Sequence, residues 1–137
     1  MKTLIAENKY KSNFSVIPKI QKFIEQIVSK YTNDVKIIEA INFAVAEASS
    51  NSIKHGNKFD LSKNIELKIF LENNSIIISF FDFGQGFIPE NLPDPTLPEN
   101  LLKDNGRGIF IIKNVVDSLS YNFSSKGTET ILKINLK

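Results

Sequence analysis

A chain of 137 residues, 42% hydrophobic and 23% charged, has the balance of one ordinary globular domain. It is large enough to bury roughly two-thirds of the surface its unfolded form exposes. A formal charge of +2, from 17 basic and 15 acidic residues scattered among one another, leaves no electrostatic footprint for nucleic acid. Without cysteine the chain has no disulfide, thiolate or zinc-cysteine chemistry.

The opening "MKTLIAENKYKSN" has too short an apolar stretch for a signal peptide, and no segment approaches the roughly 20 apolar residues that span a bilayer. A cytoplasmic protein with no direct nucleic-acid or membrane partner is therefore expected. Within the opening, "TLIA" reads as a short edge strand. From Ser15, "SVIPKIQKFIEQIVSKY" places Ile20, Phe23, Ile24, Ile27, Val28 and Tyr31 three and four apart, with Lys19, Lys22, Glu25, Gln26 and Lys30 on the other side. Pro18 suits the first turn, where its missing N–H has no helical partner. This is an amphipathic helix.

A second helical pattern runs from about Asn33 or Asp34 to Lys54, with Asp34 as cap and "HGN" as stop. "NIELKIFLE" then alternates Ile65, Leu67, Ile69 and Leu71 with polar positions, "NN" at 73 and 74 turns the chain, and "SIIISFFD" reads as a more fully buried strand. Together they predict an antiparallel hairpin. "IPENLPDPTLPENLLKDNG" holds four of the five prolines and reads as a long loop, a candidate lid at about 88–105. "GRGIFIIKNVVD" restores helical spacing through Ile109, Ile112, Val115 and Val116, and Leu119, Tyr121 and Phe123 then alternate. After a turn at Lys126 and Gly127, Thr130, Leu132, Ile134 and Leu136 predict a closing strand. The order implies one domain over 1–137, a two-layer α/β sandwich whose largely antiparallel sheet carries its helices on one face.

The second helix also concentrates polar chemistry. Its core stripe is Ile37, Ile41, Val45 and Ala48; at about 100° per residue, Asn51 lies roughly 75° from the stripe's centre, Glu47 about 40° further and Lys54 about 20° beyond Glu47. His55 lies off that flank and enters the same region only if the helix ends there. A carboxylate there can take a proton or orient a nucleophile, an Asn oxygen can ligate Mg²⁺, and a Lys can offset phosphate charge. The same residues also fit an ordinary polar helix boundary, with a Glu-to-Asn hydrogen bond and a surface lysine. "NGRGIF" sets Gly106 and Gly108 before a helix with Arg107 between them, which suits either phosphates or a simple cap. "KGTETILKI" offers Gly127 for a turn and Thr128 as a hydroxyl beside the sheet. "DFGQGF", from Asp82 to Phe87, follows a buried strand and suits either a hairpin turn or a backbone brought close to a ligand.

Taken in order, "EASSNSIKHG", "DFGQGF", "GRGIFIIKNVVD" and "GT" resemble the four sequence boxes of the Bergerat-fold ATPases, the superfamily of histidine-kinase ATP domains, gyrase, Hsp90 and the anti-sigma-factor serine kinases. The resemblance covers the chain from the second helix to its end. It points to the anti-sigma kinase branch, because the first helix carries no histidine and the length leaves no room for a transducer domain. "EASSNSIKHG" departs from that branch at Ser52, where alanine is frequent; the change adds a hydroxyl that needs a partner.

The resemblance implies ATP and Mg²⁺ as cofactors. Glu47 would be the general base or orienting carboxylate, Asn51 the Mg²⁺ ligand and Lys54 a phosphate contact, with His55 at the rim. Asp82 would accept the adenine amine, assisted by Thr128 through water. Gly84 and Gly86 would let the backbone pass close to the base, with Phe87 beside them. Gly106, Arg107 and Gly108 would form the phosphate-side turn, flanked by Ile109 and Phe110. The implied activity is that of an ATP-dependent serine/threonine protein kinase, which phosphorylates an anti-sigma antagonist, binds a sigma factor or comparable regulator, and forms a homodimer. The competing reading is a non-catalytic, nucleotide-dependent interaction protein.

Overall fold

Period-2 alternation of apolar residues builds the sheet around which the chain is organised. The computed structural model describes residues 1–84 and 115–136. Five strands pair in the order β1-β2-β3-β5-β4: β1 Thr3–Lys11, β2 Asn64–Glu72, β3 Ser75–Asp82, β4 Ser118–Phe123 and β5 Thr128–Asn135. Every pairing among them is antiparallel. Helix α1 spans Ile17–Val28 and helix α2 spans Val35–Asn51.

One face of the sheet is the core face. Ile65, Leu67 and Ile69 from β2, Ile76, Ile78 and Phe80 from β3, and Leu132 and Ile134 from β5 are buried there with Ile20, Ile24 and Val28 of α1 and Ile41, Ala44, Val45 and Ala48 of α2. Each buried Ile, Leu or Phe side chain contributes about 1.5–3 kcal/mol, so the sandwich is held chiefly by this shared seam. The strand β3, central and buried along most of its length, carries the seam to its last residue, Asp82.

The expected two-layer α/β architecture and the β2–β3 hairpin are present, the hairpin turning at Asn73 and Asn74 with Asn73 at φ 55°. Asp34 caps α2 by accepting from the Lys36 N–H at 3.0 Å. Three boundaries differ from the sequence reading. The edge strand β1 runs through Lys11 rather than stopping after Ala6, because its second half pairs with β2 while remaining mostly exposed, so its polar letters hide its pairing. Helix α1 starts at Ile17, after a 3₁₀ turn at Phe14–Val16 capped by Asn13, and ends before Tyr31, which is exposed. The third difference lies at the end of α2.

There the α-helical pattern stops at Asn51, and Ser52–Gly56 form a π turn whose bond runs from the Asn57 N–H to the Ser52 carbonyl at 2.8 Å. Each residue of such a turn advances by less than 100°, so the angular positions expected for Lys54 and His55 do not carry through it. The candidate lid at 88–105 and the helix expected from Gly108 lie outside the described residues, apart from Val115 and Val116 at that helix's end.

Candidate functional site

Strand β3 continues the core-facing alternation of Ile76, Ile78 and Phe80 for one more step, and that step is a carboxylate. Asp82 is 4% exposed. It sits directly across the ladder from Thr128, the first residue of β5, so both side chains project to the helix side of the sheet. Burial pushes the Asp82 carboxyl up to about 6, against the opposing pull of the Gly84 N–H and the nearby Ser52 hydroxyl. The Gly84 N–H donates to Asp82 Oδ1 at 3.0 Å.

The π turn sets its backbone against this carboxylate. A Cβ at Gly56 would fall 2.3 Å from Asp82 Cγ and 2.5 Å from each carboxylate oxygen, so only glycine leaves the space that Asp82 fills. Gly84 is constrained by the same neighbour, since a Cβ there would lie 2.1 Å from the Gly56 carbonyl oxygen. The glycine of "DFG" is thus required first by its packing on the π turn.

Asn57, the next residue, is buried and ties three segments together. Its amide nitrogen donates to Ser12 Oγ at 2.8 Å and to the Asn64 carbonyl at 3.2 Å, and its Oδ1 accepts from the Phe83 N–H at 2.8 Å. The sequence reading saw in "HGN" only a helix stop. Its last letter instead fastens the chain leaving β3 to the ends of β1 and β2. A cue existed in retrospect: an Asn after a glycine at a helix end can satisfy buried backbone with both ends of its amide.

A pocket opens between these elements, lined by Ala48, Asn51, Ser52, Gly56, Asp82, Tyr121, Thr128 and Thr130. Of the expected site residues, Asn51, Asp82 and Thr128 are brought together in its wall. Glu47 is half-buried one turn earlier on α2, Lys54 is exposed and His55 is half-buried in the π turn, and none of the three forms part of that wall. Gly86, Phe87, Gly106, Arg107, Gly108, Ile109 and Phe110 lie outside the described residues. Burial holds the Tyr121 phenol up at about 12, so it stays neutral in the wall.

Two hydroxyl oxygens in this pocket, Ser52 Oγ and Thr128 Oγ1, are buried with no hydrogen-bond partner among the described residues. Buried polar atoms in native proteins are nearly always partnered by protein, water or ligand. A carboxylate acceptor flanked by two such hydroxyls has the chemistry to receive an amine N–H. Asn51, at the wall on α2, suits a magnesium ion, which takes one or two protein oxygens and completes its shell with phosphates and water. No cluster of three or more His, Asp or Glu that could hold a metal occurs among the described residues.

An antiparallel sheet covered on one face by helices, with a buried carboxylate in a pocket between α2 and the sheet, defines a two-layer α/β sandwich. The chain belongs to the histidine kinase-like ATPase domain family, whose model matches residues 12–134. It is 29% identical over 115 residues to the anti-sigma F factor of Clostridium perfringens strain SM101, an alignment covering 80% of this chain and 81% of that protein. The anti-sigma F factor of Clostridium perfringens strain 13 matches equally, at 29% over 115 residues and the same coverage.

Among solved structures, the RsbU and RsbW domains of Rv1364c from Mycobacterium tuberculosis superpose with a TM-score of 0.69 at 14% identity, over 96% of this chain and 31% of that one. The histidine kinase domain of the Erythrobacter litoralis EL346 blue-light activated histidine kinase superposes with a TM-score of 0.58 at 20% identity, over 90% of this chain and 60% of that one. At these identities the likeness speaks for the fold. No described helix is long and apolar enough to cross a membrane.

Proposed function

We propose that this chain is an ATP- and Mg²⁺-dependent serine/threonine protein kinase acting as a cytoplasmic anti-sigma regulator. Its substrate would be a small antagonist protein, and its second partner a sigma factor or comparable regulator. The carrying observation is the buried Asp82 carboxylate facing Thr128 across the ladder and closed in by the π turn after Asn51. The similarity to anti-sigma F factors supports the regulatory part.

In this reading Asp82 accepts an N–H of the adenine amine, and the Thr128 hydroxyl assists through water. Asn51 offers its side-chain oxygen to the magnesium ion, whose chemistry is to offset phosphate charge. Glu47, one turn before Asn51, takes the proton of the attacking serine or threonine hydroxyl. That oxygen bonds to the γ-phosphorus as the bond to the β–γ bridging oxygen breaks, and ADP leaves. A phosphate placed on the antagonist then alters its docking by charge repulsion and desolvation. Gly106, Arg107 and Gly108 remain the proposed phosphate-side turn, residues 88–105 the proposed lid, and a homodimer the proposed assembly.

The test mixes purified protein, Mg²⁺ and γ-labelled ATP with the candidate antagonist, beside a Glu47→Gln variant. Label on antagonist serine or threonine, lost in the variant, is the expected outcome. Tight ATP binding with no transfer to any cognate antagonist would instead establish a non-catalytic, nucleotide-dependent interaction protein.

A further inference from the structure

Ser52 adds a hydroxyl to the end of α2, and the structure puts that hydroxyl in the pocket wall. Ser52 opens the π turn, is 2% exposed, and lines the same pocket as Asp82 and Thr128. Its Oγ has no hydrogen-bond partner among the described residues and shares the pocket lining with the Asp82 carboxylate, whose burial-raised carboxyl it pulls downward. A buried hydroxyl left unpaired is costly, which favours a partner for it. In the lining, the acceptor best able to relieve it is the carboxylate.

We propose that Ser52 is a positioning residue for base recognition: its hydroxyl donates to Asp82, keeping that carboxylate ionised and turned to accept an amine from the bound base. This rests on the ATP-binding reading above. The Gly84 N–H already occupies Oδ1, so a second donor reaching over from the helix side fixes the carboxylate from two directions. Gly56 presents bare backbone to the carboxylate, Tyr121 lines the pocket from β4 as a neutral phenol, and Thr128 faces Asp82 across the ladder from β5. Glu129 of β5 lies on the opposite face of the sheet, where it accepts from Ser79. On the helical side, Glu47, Lys54 and His55 are the nearby titratable groups, and none of them lines the pocket. Burial raises the Asp82 carboxyl, and two neutral donors, the Gly84 N–H and the Ser52 hydroxyl, pull against it.

The experiment measures Mg-ATP affinity from about pH 5.5 to 8.5 for the intact chain and Ser52→Ala, and follows the Asp82 carboxyl directly by ¹³C NMR in the ligand-free protein. The variant is expected to bind about three- to tenfold more weakly than wild type at pH 6 and within about twofold at pH 8, with the Asp82 titration displaced upward. Loss of affinity by the same factor at every pH, or an Asp82 titration that does not move, overturns the proposal. If Ser52→Ala does not fold, Ser52→Cys, with a weaker donor, is expected to place the acid limb above that of wild type, and an unchanged limb overturns the proposal equally. Should the wild-type chain bind no ATP at pH 8, the functional reading falls, while the ligand-free titration still decides the role of Ser52.

Discussion

In the role proposed for it, Asp82 meets two opposed demands: reading an amine favours a charged acceptor, and burial disfavours charge. Its displacement from 3.8 to about 6 corresponds to about 2–3 kcal/mol held against the ionised form in the folded chain. The sign follows from proton counting. Between those values the folded state binds more protons than the unfolded one, so this carboxyl's contribution makes stability fall as pH rises from about 4 to 6, and the cost is fully present above about 6. Asp82→Asn is therefore expected to raise stability by about 1–2 kcal/mol near pH 7.5, less than the whole cost because the neutral amide is a poorer acceptor for the Gly84 N–H. It should also weaken adenine binding and base selectivity. Urea denaturation near pH 7.5 and again near 4.5 checks this, and a gain that does not shrink at the lower pH would count against burial as the cause. Gly56→Ala should act in the other direction. Its methyl would meet the carboxylate at 2.3 Å, and relief requires moving either the π turn or β3. A loss of about 1–3 kcal/mol is expected, seen as a lower denaturation midpoint, together with loss of nucleotide binding.

At the scale of elements, the π turn and the exit from β3 form one mechanical unit joined through Asn57. Asn57→Ala removes the acceptor of the Phe83 N–H and the donor to Ser12 and Asn64 in one change, leaving buried groups unpaired. A destabilisation of about 2–3 kcal/mol is expected, with the Phe83 amide losing hydrogen-exchange protection beyond what the global change explains. The same unit marks the limit of what the sequence makes legible. Helix α2, the β2–β3 hairpin and β5 were readable because burial on one face imposes a 3.6- or 2-residue period on their letters. The second half of β1 was not, since a paired edge strand exposed to solvent needs no apolar period. The π turn was hidden for another reason: it answers to a carboxylate 26 residues or more downstream, and no local propensity encodes that contact. Asp82, Asn51 and Thr128 were legible only as members of an ordered set of boxes. Ser52 stood out as a departure from that set, while the role of Asn57 depends on contacts among segments far apart in sequence.

For the whole molecule, the pocket lies where five elements meet, so occupancy should be felt as global stability rather than as local stiffening alone. The walls come from the end of α2 and its π turn, the last residue of β3, and the facing ends of β4 and β5. Unfolding any of these dismantles the site, and a ligand that binds only the assembled pocket stabilises the native state by RT ln(1 + [L]/Kd), about 2.7 kcal/mol at a hundredfold excess over Kd. Mg-ATP is therefore expected to raise the denaturation midpoint of the intact chain in a concentration-dependent way, and Mg-GTP to raise it far less, because guanine presents a carbonyl where adenine presents the amine that Asp82 is proposed to accept. In Asp82→Asn the ligand-free midpoint should be higher than wild type at neutral pH, yet Mg-ATP should add little to it. That crossing of intrinsic stability and ligand response separates a recognition carboxylate from a merely structural one, whose removal would leave the ATP-dependent increment intact. Equal midpoint shifts with ATP and GTP in the wild-type chain would show that affinity comes from the phosphates alone and that the Asp82 pocket does not read the base.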